Sequence, residues 1–210
     1  MRLFIKICGI TSLDDALTAA ELGADAIGLN FFPNSPRYLS LESATAICRA
    51  LPPHILTVGL FVNAPPDVVH LYDQACHFSL IQFHGDETPD LCRPWFPRAI
   101  RAVRLRSEAE IPQLDQWRNV HMLLCDAAVP GTFGGTGQRA DWSLARRLVE
   151  TGFTVLLAGG LTPTNVADAV RIVRPFGVDV AGGVESAPGK KDPVKLANFI
   201  RAAREAAHAL

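Results

Sequence analysis

Short runs of apolar and β-branched residues recur along the chain, and they alternate with longer segments in which apolar residues are spaced three or four apart. Runs of this kind are typical of strands that are buried on both faces, and the longer segments are typical of amphipathic helices. The apolar runs occupy 3–8, 25–31, 55–62, 80–84, 100–105, 122–126, 154–159 and 178–183. The pattern therefore predicts eight strands, most of them followed by a helix.

The helical spacing is clearest over 13–23, 41–51 and 141–152, and the first and last of these segments end at glycine, a common residue at helix C-termini. Eight strands in 210 residues leave about 26 residues per strand–helix unit, which suits a compact (β/α)8 barrel. A doubly wound open sheet is the main alternative, but its GxGxxG motif does not follow the first strand. We therefore expect one α/β domain over 1–210, a TIM barrel with a parallel eight-stranded barrel.

Composition limits the possible partners. The net charge of −1 and the pI near 6.6 favour neither nucleic acid nor an anionic membrane as a partner. No apolar run approaches the roughly 18 residues of a membrane span. The five cysteines are odd in number and lack metal-type spacing, so we expect no disulfide framework and no metal, and a reducing cytoplasmic location.

Several residues with catalytic chemistry stand where predicted strands end, which is where barrels of this class carry their active sites. These residues are Cys8, His84, Asp126 and Asp179. Lys6 shares a strand face with Cys8, because side chains two residues apart point the same way. A nearby cation favours the thiolate, the form in which cysteine acts as a base or nucleophile. Alternatively, or in addition, Lys6 pairs with one of the aspartates, and Cys8 fills space in the core.

Two glycine pairs follow the last two predicted strands. Gly159 and Gly160 end the seventh, and Gly182 and Gly183 end the eighth. A TIM barrel usually holds a phosphate at these two adjacent loops, and glycine lets backbone N–H groups approach an anion. Either pair alone would indicate only a tight turn, whereas together they favour a phosphate site. Lys190 and Lys191, further along the chain, are interpreted as a solvated face.

The sixth strand is followed by an unusually long connection, 127–142, where about 2–6 residues are usual. Loops of this length commonly act as lids, and Gly134, Gly135 and Gly137 would supply hinges or amide donors. Asp141 is expected to cap the next helix, which leaves Asp126 available as a general acid whose pKa burial should raise.

Arg37 lies in a loop stiffened by Pro33 and Pro36. Its planar guanidinium group suits a carboxylate or a phosphate, although a solvent-exposed arginine is the commoner explanation for a single arginine.

The motifs taken together resemble the phosphoribosylanthranilate isomerase family. The resemblance rests on KICGIT at 6–11, SPRYLS at 35–40, VGLFVN at 58–63, QFHGDE at 82–87, GGTGQRADW at 134–142, LAGGLTPTNV at 157–166 and GVDVAGGVESAPGKKD at 177–192. Each motif is weak alone, but their order and spacing along nearly the whole chain are specific. The resemblance implies a cofactor-independent barrel that carries out an Amadori rearrangement of a small phosphoribosyl substrate in tryptophan biosynthesis.

The resemblance also implies roles for individual residues. Cys8 would be the general base and Asp126 the general acid. Arg37 and His84 would bind substrate, and Asp179 would contact its sugar hydroxyls. The backbones of 159–160 and 182–183 would hold the phosphate.

Four positions depart from the family pattern. Ala181 and Gly182 replace frequent serines, Ala140 replaces an aromatic residue, and Asn30 replaces an apolar one. Two alternatives stay open from the sequence: another phosphosugar isomerase or epimerase, and a non-catalytic barrel that binds a phosphosugar. The chain is compatible with either a monomer or a homodimer.

Overall fold

The computed structural model describes residues 2–128 and 139–210, and its centre is a closed barrel of eight parallel strands. The strands lie side by side in chain order, and β1 pairs with β8 to close the barrel. Their bounds are β1 Phe4–Cys8, β2 Ala26–Asn30, β3 Leu56–Phe61, β4 Leu80–Phe83, β5 Ala99–Val103, β6 Met122–Cys125, β7 Val155–Leu157 and β8 Gly177–Val180. All eight overlap the predicted runs, which confirms the expected fold class.

Helices and short 3-10 segments cover the outside of the barrel. The helices are α1 Leu13–Glu21, α2 Leu41–Ala50, α3 Pro66–Cys76, α4 Pro89–Cys92, α5 Trp142–Glu150, α6 Val166–Val173 and α7 Pro193–His208. The 3-10 segments are η1 Arg93–Trp95, η2 Glu108–Trp117 and η3 Gly182–Val184, and a small hairpin pairs β9 Glu185–Ala187 with β10 Lys190–Lys191. Asp141 accepts hydrogen bonds from the Ser143 and Leu144 amides, so the predicted cap of α5 is confirmed.

Alternation along the strands divides the apolar residues into two layers. The outward layer packs beneath the helices and includes Ile5 and Ile7 of β1. The inward layer fills the lower barrel and includes Val58, Ile100 and Leu124. Cys125 belongs to the outward layer, so its thiol faces the helices and not the side on which Asp126 stands.

Polar side chains also occupy the inside of the barrel. Lys6 and Gln82 are fully buried and Asp179 is 8% exposed. A buried polar group is costly unless it finds a partner, so these positions identify an interior that is built for more than packing. In the described part of the chain, no helix has the length and apolar character needed to cross a membrane.

Candidate active site

Cys8 ends strand β1 beside a buried ion pair. Lys6 stands opposite Asp179 of β8, and its Nζ atom donates a hydrogen bond to Asp179 Oδ1 at 2.8 Å. The Lys6 ammonium group and the Cys8 thiol lie on the same side of Gly28, where a Cβ atom would be 3.0 Å from Lys6 Nζ and 2.9 Å from Cys8 Sγ. Both roles considered for Lys6 therefore occur together, and they make one connected group from Cys8, Lys6 and Asp179.

The Cys8 thiol is protonated at neutral pH in this arrangement. The residue is 6% exposed and packs against Leu60 and Val62 at the upper end of the barrel interior. Burial raises the pKa of the thiol, Lys6 lowers it in part, and the Asp179 charge raises it again. Lys6 thus favours the thiolate, as expected, but burial and the Asp179 charge outweigh it and the net effect is a raised pKa.

Asp126 follows strand β6 and pairs with a histidine from the loop after β4. His84 Nε2 lies 3.1 Å from Asp126 Oδ2, and the Ala127 amide donates to Asp126 Oδ1 at 2.8 Å. On its other side, His84 Nδ1 lies 2.8 Å from the Gln82 amide nitrogen, one layer deeper in the barrel. With the amide in this orientation Nδ1 accepts, so the ring proton is on Nε2 and points at Asp126.

These contacts reverse the expected pKa shift of Asp126. Burial alone would raise the pKa, but the hydrogen bond from His84, together with the Ala127 amide and the Arg104 charge, lowers it below the ordinary aspartate value. Burial therefore acts in the predicted direction, but the predicted net rise in the pKa of Asp126 is wrong. At neutral pH, Cys8 holds a proton and Asp126 does not.

Arg37 reaches the same end of the barrel and is held by a carboxylate. Its Nε and Nη2 atoms donate to the two oxygens of Glu185 at 2.8 and 2.7 Å. Gly9 makes this approach possible, because it has a φ of +69° and a Cβ atom there would lie 2.4 Å from Arg37 Cδ. The KICGIT motif and the SPR segment thus meet across the barrel rim.

Lys191 completes this second group and lies inside the protein. It is only 2% exposed, so its interpretation as part of a solvated face is wrong. Its Nζ atom donates to Glu185 Oε1 at 2.9 Å, to the Cys8 carbonyl at 2.7 Å and to the Ala181 carbonyl at 3.2 Å. Lys191 therefore ties the end of β1 to the segment after β8. Lys190, by contrast, is exposed as expected.

The two glycine pairs lie in adjacent loops, as expected from the strand order. A Cβ atom on Gly183 would lie 1.9 Å from the Leu161 carbonyl oxygen, so the loops after β7 and β8 pack directly against each other. The Gly159 carbonyl accepts a hydrogen bond from the Ala140 amide at 3.4 Å. A Cβ atom on Gly182 would lie 3.2 Å from Arg37 Nη2. No acceptor within the described residues takes a hydrogen bond from the Gly160 or Gly182 amide.

Three residues of the site were not found from the sequence: Gln82, Glu185 and Lys191. The sequence does contain a signal for Glu185 as the partner of Arg37. A buried arginine requires a carboxylate, and Glu185 stands two residues after the glycine pair at 182–183. The proposed lid glycines Gly134, Gly135 and Gly137 lie outside the described residues. Over 2–128 and 139–210, no cluster of His, Cys, Asp and Glu has the arrangement of a metal site.

Comparison with known proteins agrees with this geometry. A family model described as N-(5'-phosphoribosyl)anthranilate (PRA) isomerase matches residues 5–202. A protein of that name from Trichlorobacter lovleyi is 50% identical over 202 residues, which are 96% of this chain and 98% of that protein.

Solved structures lead to the same family. The phosphoribosylanthranilate isomerase of Thermotoga maritima superposes with a TM-score of 0.89 at 40% identity, covering 97% of this chain and 99% of the other. A second isomerase structure, in complex with reduced 1-(o-carboxyphenylamino)-1-deoxyribulose 5-phosphate, has a TM-score of 0.86 at 38% identity with the same coverage. With a thiol and a carboxyl group at the ends of strands one and six of the barrel, this chain belongs to the phosphoribosylanthranilate isomerase family.

Proposed function

We propose that the chain catalyses the Amadori rearrangement of N-(5'-phosphoribosyl)anthranilate in tryptophan biosynthesis, with Cys8 as general base and Asp126 as general acid. The observation that carries the proposal is the position of these two groups at the same end of a closed barrel, each with its own buried hydrogen-bonding partners. Family membership identifies the substrate.

The reaction begins with opening of the ribose ring. Asp126 gives a proton to the ring oxygen while the lone pair of the anthranilate nitrogen forms a C=N bond at C1. The resulting iminium withdraws electrons and acidifies the proton on C2. The Cys8 thiolate takes that proton, and the enolamine so formed tautomerises to the 1-amino-1-deoxyketose. The substrate supplies its own electron sink, and each positioned acid or base contributes about 10²–10⁴-fold.

The pKa shifts add a requirement to this scheme. A forward turnover leaves a proton on Cys8 and none on Asp126, which is the distribution that the pKa shifts of the two groups favour at rest. The reactive form, with thiolate and protonated acid, is therefore a minor tautomer of the same net charge. A proton must return from Cys8 to the Asp126 side before the next turnover.

His84 is suited to hold the returning proton. A proton on its Nε2 atom is one transfer from Asp126 Oδ2. Gln82 can bind the ring in both protonation states. When Nδ1 of His84 is unprotonated, the Gln82 amide nitrogen donates to it. When Nδ1 carries a proton, the amide can turn so that Gln82 Oε1, which has no partner among the described residues, accepts from it. The His84–Asp126 pair then acts as the acid.

Lys6 and Asp179 set how easily Cys8 ionises. Burial raises the pKa of the thiol, the buried ammonium group of Lys6 lowers it in part, and the Asp179 charge opposes that effect. Asp179 Oδ1 is occupied by Lys6, which leaves its other oxygen for the sugar hydroxyls expected at this position.

The negative groups of the substrate are bound by the rim of the barrel. Two N–H groups of Arg37 are engaged with Glu185, and its remaining donors are available for a substrate carboxylate or phosphate. The amides of Gly160 and Gly182, with the neighbouring Gly159 and Gly183 keeping side chains away, would bind the phosphate.

The proposed location is cytoplasmic, and the proposed assembly is a monomer or a homodimer. Each residue invoked comes from one chain, so a monomer and a homodimer are equally compatible with the chemistry. The five cysteines form no disulfide, in keeping with a cytoplasmic location.

Purified protein should consume phosphoribosylanthranilate, measured as loss of the substrate's fluorescence. A chelator should leave the rate unchanged, whereas inhibition by the chelator would favour the metal-assisted epimerase alternative. Binding without turnover would identify a phosphosugar-binding barrel instead.

A further inference from the structure

A second chemically distinctive place lies far from the proposed active site. Helix α2, the segment after it and the end of α3 enclose a pocket of about 300 Å³. Thr57, near the start of β3, contributes to its wall, so the pocket is at the opposite end of the barrel from Cys8 and Asp126. Cys48 of α2 and Cys76, the last residue of α3, both line it.

The fold brings the two thiols to the same pocket. The hydroxyl of Thr45, which lies three residues before Cys48 on α2, is 3.6 Å from the Cys76 sulfur at the end of α3. Hydrogen bonding with Cys48 and Thr45 and the charge of Arg49 lower the pKa of Cys76 to about 7, against the opposing effects of burial and of the Asp73 charge. The same contact raises the pKa of Cys48. One thiol is thus prepared as a thiolate and the other lies beside it as its proton donor.

The remaining cysteines lack this combination. Burial raises the pKa of Cys92 and of Cys125 to about 12, and it also raises the pKa of Cys8. Since the thiolate is the reactive form, an oxidant that reaches the pocket should select Cys76.

We propose that Cys48 and Cys76 form a redox-active dithiol site that low-molecular-weight disulfides convert to an intramolecular disulfide. The Cys76 thiolate attacks one sulfur of a disulfide such as glutathione disulfide, forms a mixed disulfide and expels one glutathione thiolate, which takes a proton. Cys48 then loses its proton to solvent and attacks the Cys76 sulfur. The Cys48–Cys76 bond forms and the second glutathione leaves. Two protein thiols are oxidised and one small disulfide is reduced.

The test incubates the protein with glutathione disulfide, quenches it with acid, alkylates the remaining thiols and maps the peptides by mass spectrometry. The expected product is a peptide pair joined through Cys48 and Cys76, with Cys8, Cys92 and Cys125 alkylated. Activity on phosphoribosylanthranilate should change less than twofold on oxidation, because the site is remote from the strand ends that carry Cys8 and Asp126. Recovery of Cys48 and Cys76 as alkylated thiols, or a disulfide that involves another cysteine, would overturn the proposal.

Two single variants separate the roles of the thiols. Cys48→Ser should retain glutathione on Cys76, because the resolving thiol is gone, while Cys76→Ser should stay almost unmodified at Cys48. Equal modification of both variants would contradict the assignment. Each variant is first checked for native thermal unfolding. If one fails to fold, alkylation rates of the unaltered protein against pH replace it: Cys76 should react with a midpoint near pH 7, and a midpoint above pH 9 would overturn the proposal.

Discussion

The ion pair beneath Cys8 permits a prediction in which stability and reactivity move in opposite directions. Asp179→Asn leaves the fully buried Lys6 ammonium without its counter-charge. Removing one partner of a buried pair costs about 3–5 kcal/mol, and the lower end applies because the asparagine oxygen still accepts a hydrogen bond. For a chain of this length, about 3 kcal/mol corresponds to a fall in Tm of about 10 °C.

The same change should make Cys8 more reactive. Asp179 is one of the groups that raise the pKa of the Cys8 thiol, and Lys6 lowers it. Without the aspartate charge, the ammonium group stabilises the thiolate unopposed, so the Cys8 pKa falls. The rate of Cys8 alkylation at fixed pH, read by peptide mass spectrometry, should therefore rise while Tm falls.

The control for this experiment is Asp168→Asn, which removes an exposed pair with Arg171 and should cost under about 1 kcal/mol without altering Cys8. Slower alkylation of Cys8 in Asp179→Asn, or a loss of stability no larger than that of the control, would refute the reasoning.

Further predictions concern the groups around Cys8 and Asp126. Glu185→Gln weakens the contacts that hold Arg37 and Lys191, and a hydrogen bond to a charged group contributes about 1.5–3 kcal/mol. KM for phosphoribosylanthranilate should therefore rise about tenfold with a smaller change in kcat. Glu150→Gln on the surface is the control, and an unchanged KM in Glu185→Gln would contradict the role. His84→Ala removes the hydrogen bond that lowers the Asp126 pKa, so that pKa should rise. On the acid side of the pH profile, kcat/KM falls when Asp126 and Cys8 are both protonated, and this acid limb should therefore move to higher pH. An acid limb that stays in place or moves to lower pH would contradict the role of His84. Gly183→Ala forces a methyl group against the Leu161 carbonyl, so it should lower the free energy of unfolding by about 1–3 kcal/mol and raise KM. In Gly182→Ala the methyl group meets the flexible end of the Arg37 side chain, so the loss of stability should be smaller. Equal losses of stability in the two variants would argue against loop packing as the cause.

The fold was predictable because burial imposes a pattern on each strand and helix separately. The predicted run over 122–126 and strand Met122–Cys125 differ by one residue, and Asp141 caps α5 as its sequence position indicates. The long 3-10 segment Glu108–Trp117 lacks a clear helical pattern and was not predicted. Its proline at 112 interrupts the spacing on which such predictions depend.

Strand-end positions were also predictable for Cys8, His84 and Asp126, because they depend only on where each apolar run stops, whereas Asp179 lies inside β8, opposite Lys6. Their pKa shifts were not, because these depend on contacts between distant parts of the chain. His84 and Asp126 are 42 residues apart and meet only through the register of two strand pairs, β4–β5 and β5–β6. Lys191 and Cys8 are 183 residues apart, and nothing local to Lys191 indicates that it is buried.

The most direct test of the central claim is the single-turnover rate on phosphoribosylanthranilate in Cys8→Ser and Asp126→Asn, with Cys125→Ala as the neighbouring control. The account predicts that each of the first two variants keeps the native fold and loses about 10²–10⁴-fold in rate, while the control stays within about twofold of the unaltered protein. A near-normal rate in either Cys8→Ser or Asp126→Asn would remove that residue from the acid–base pair and contradict the mechanism.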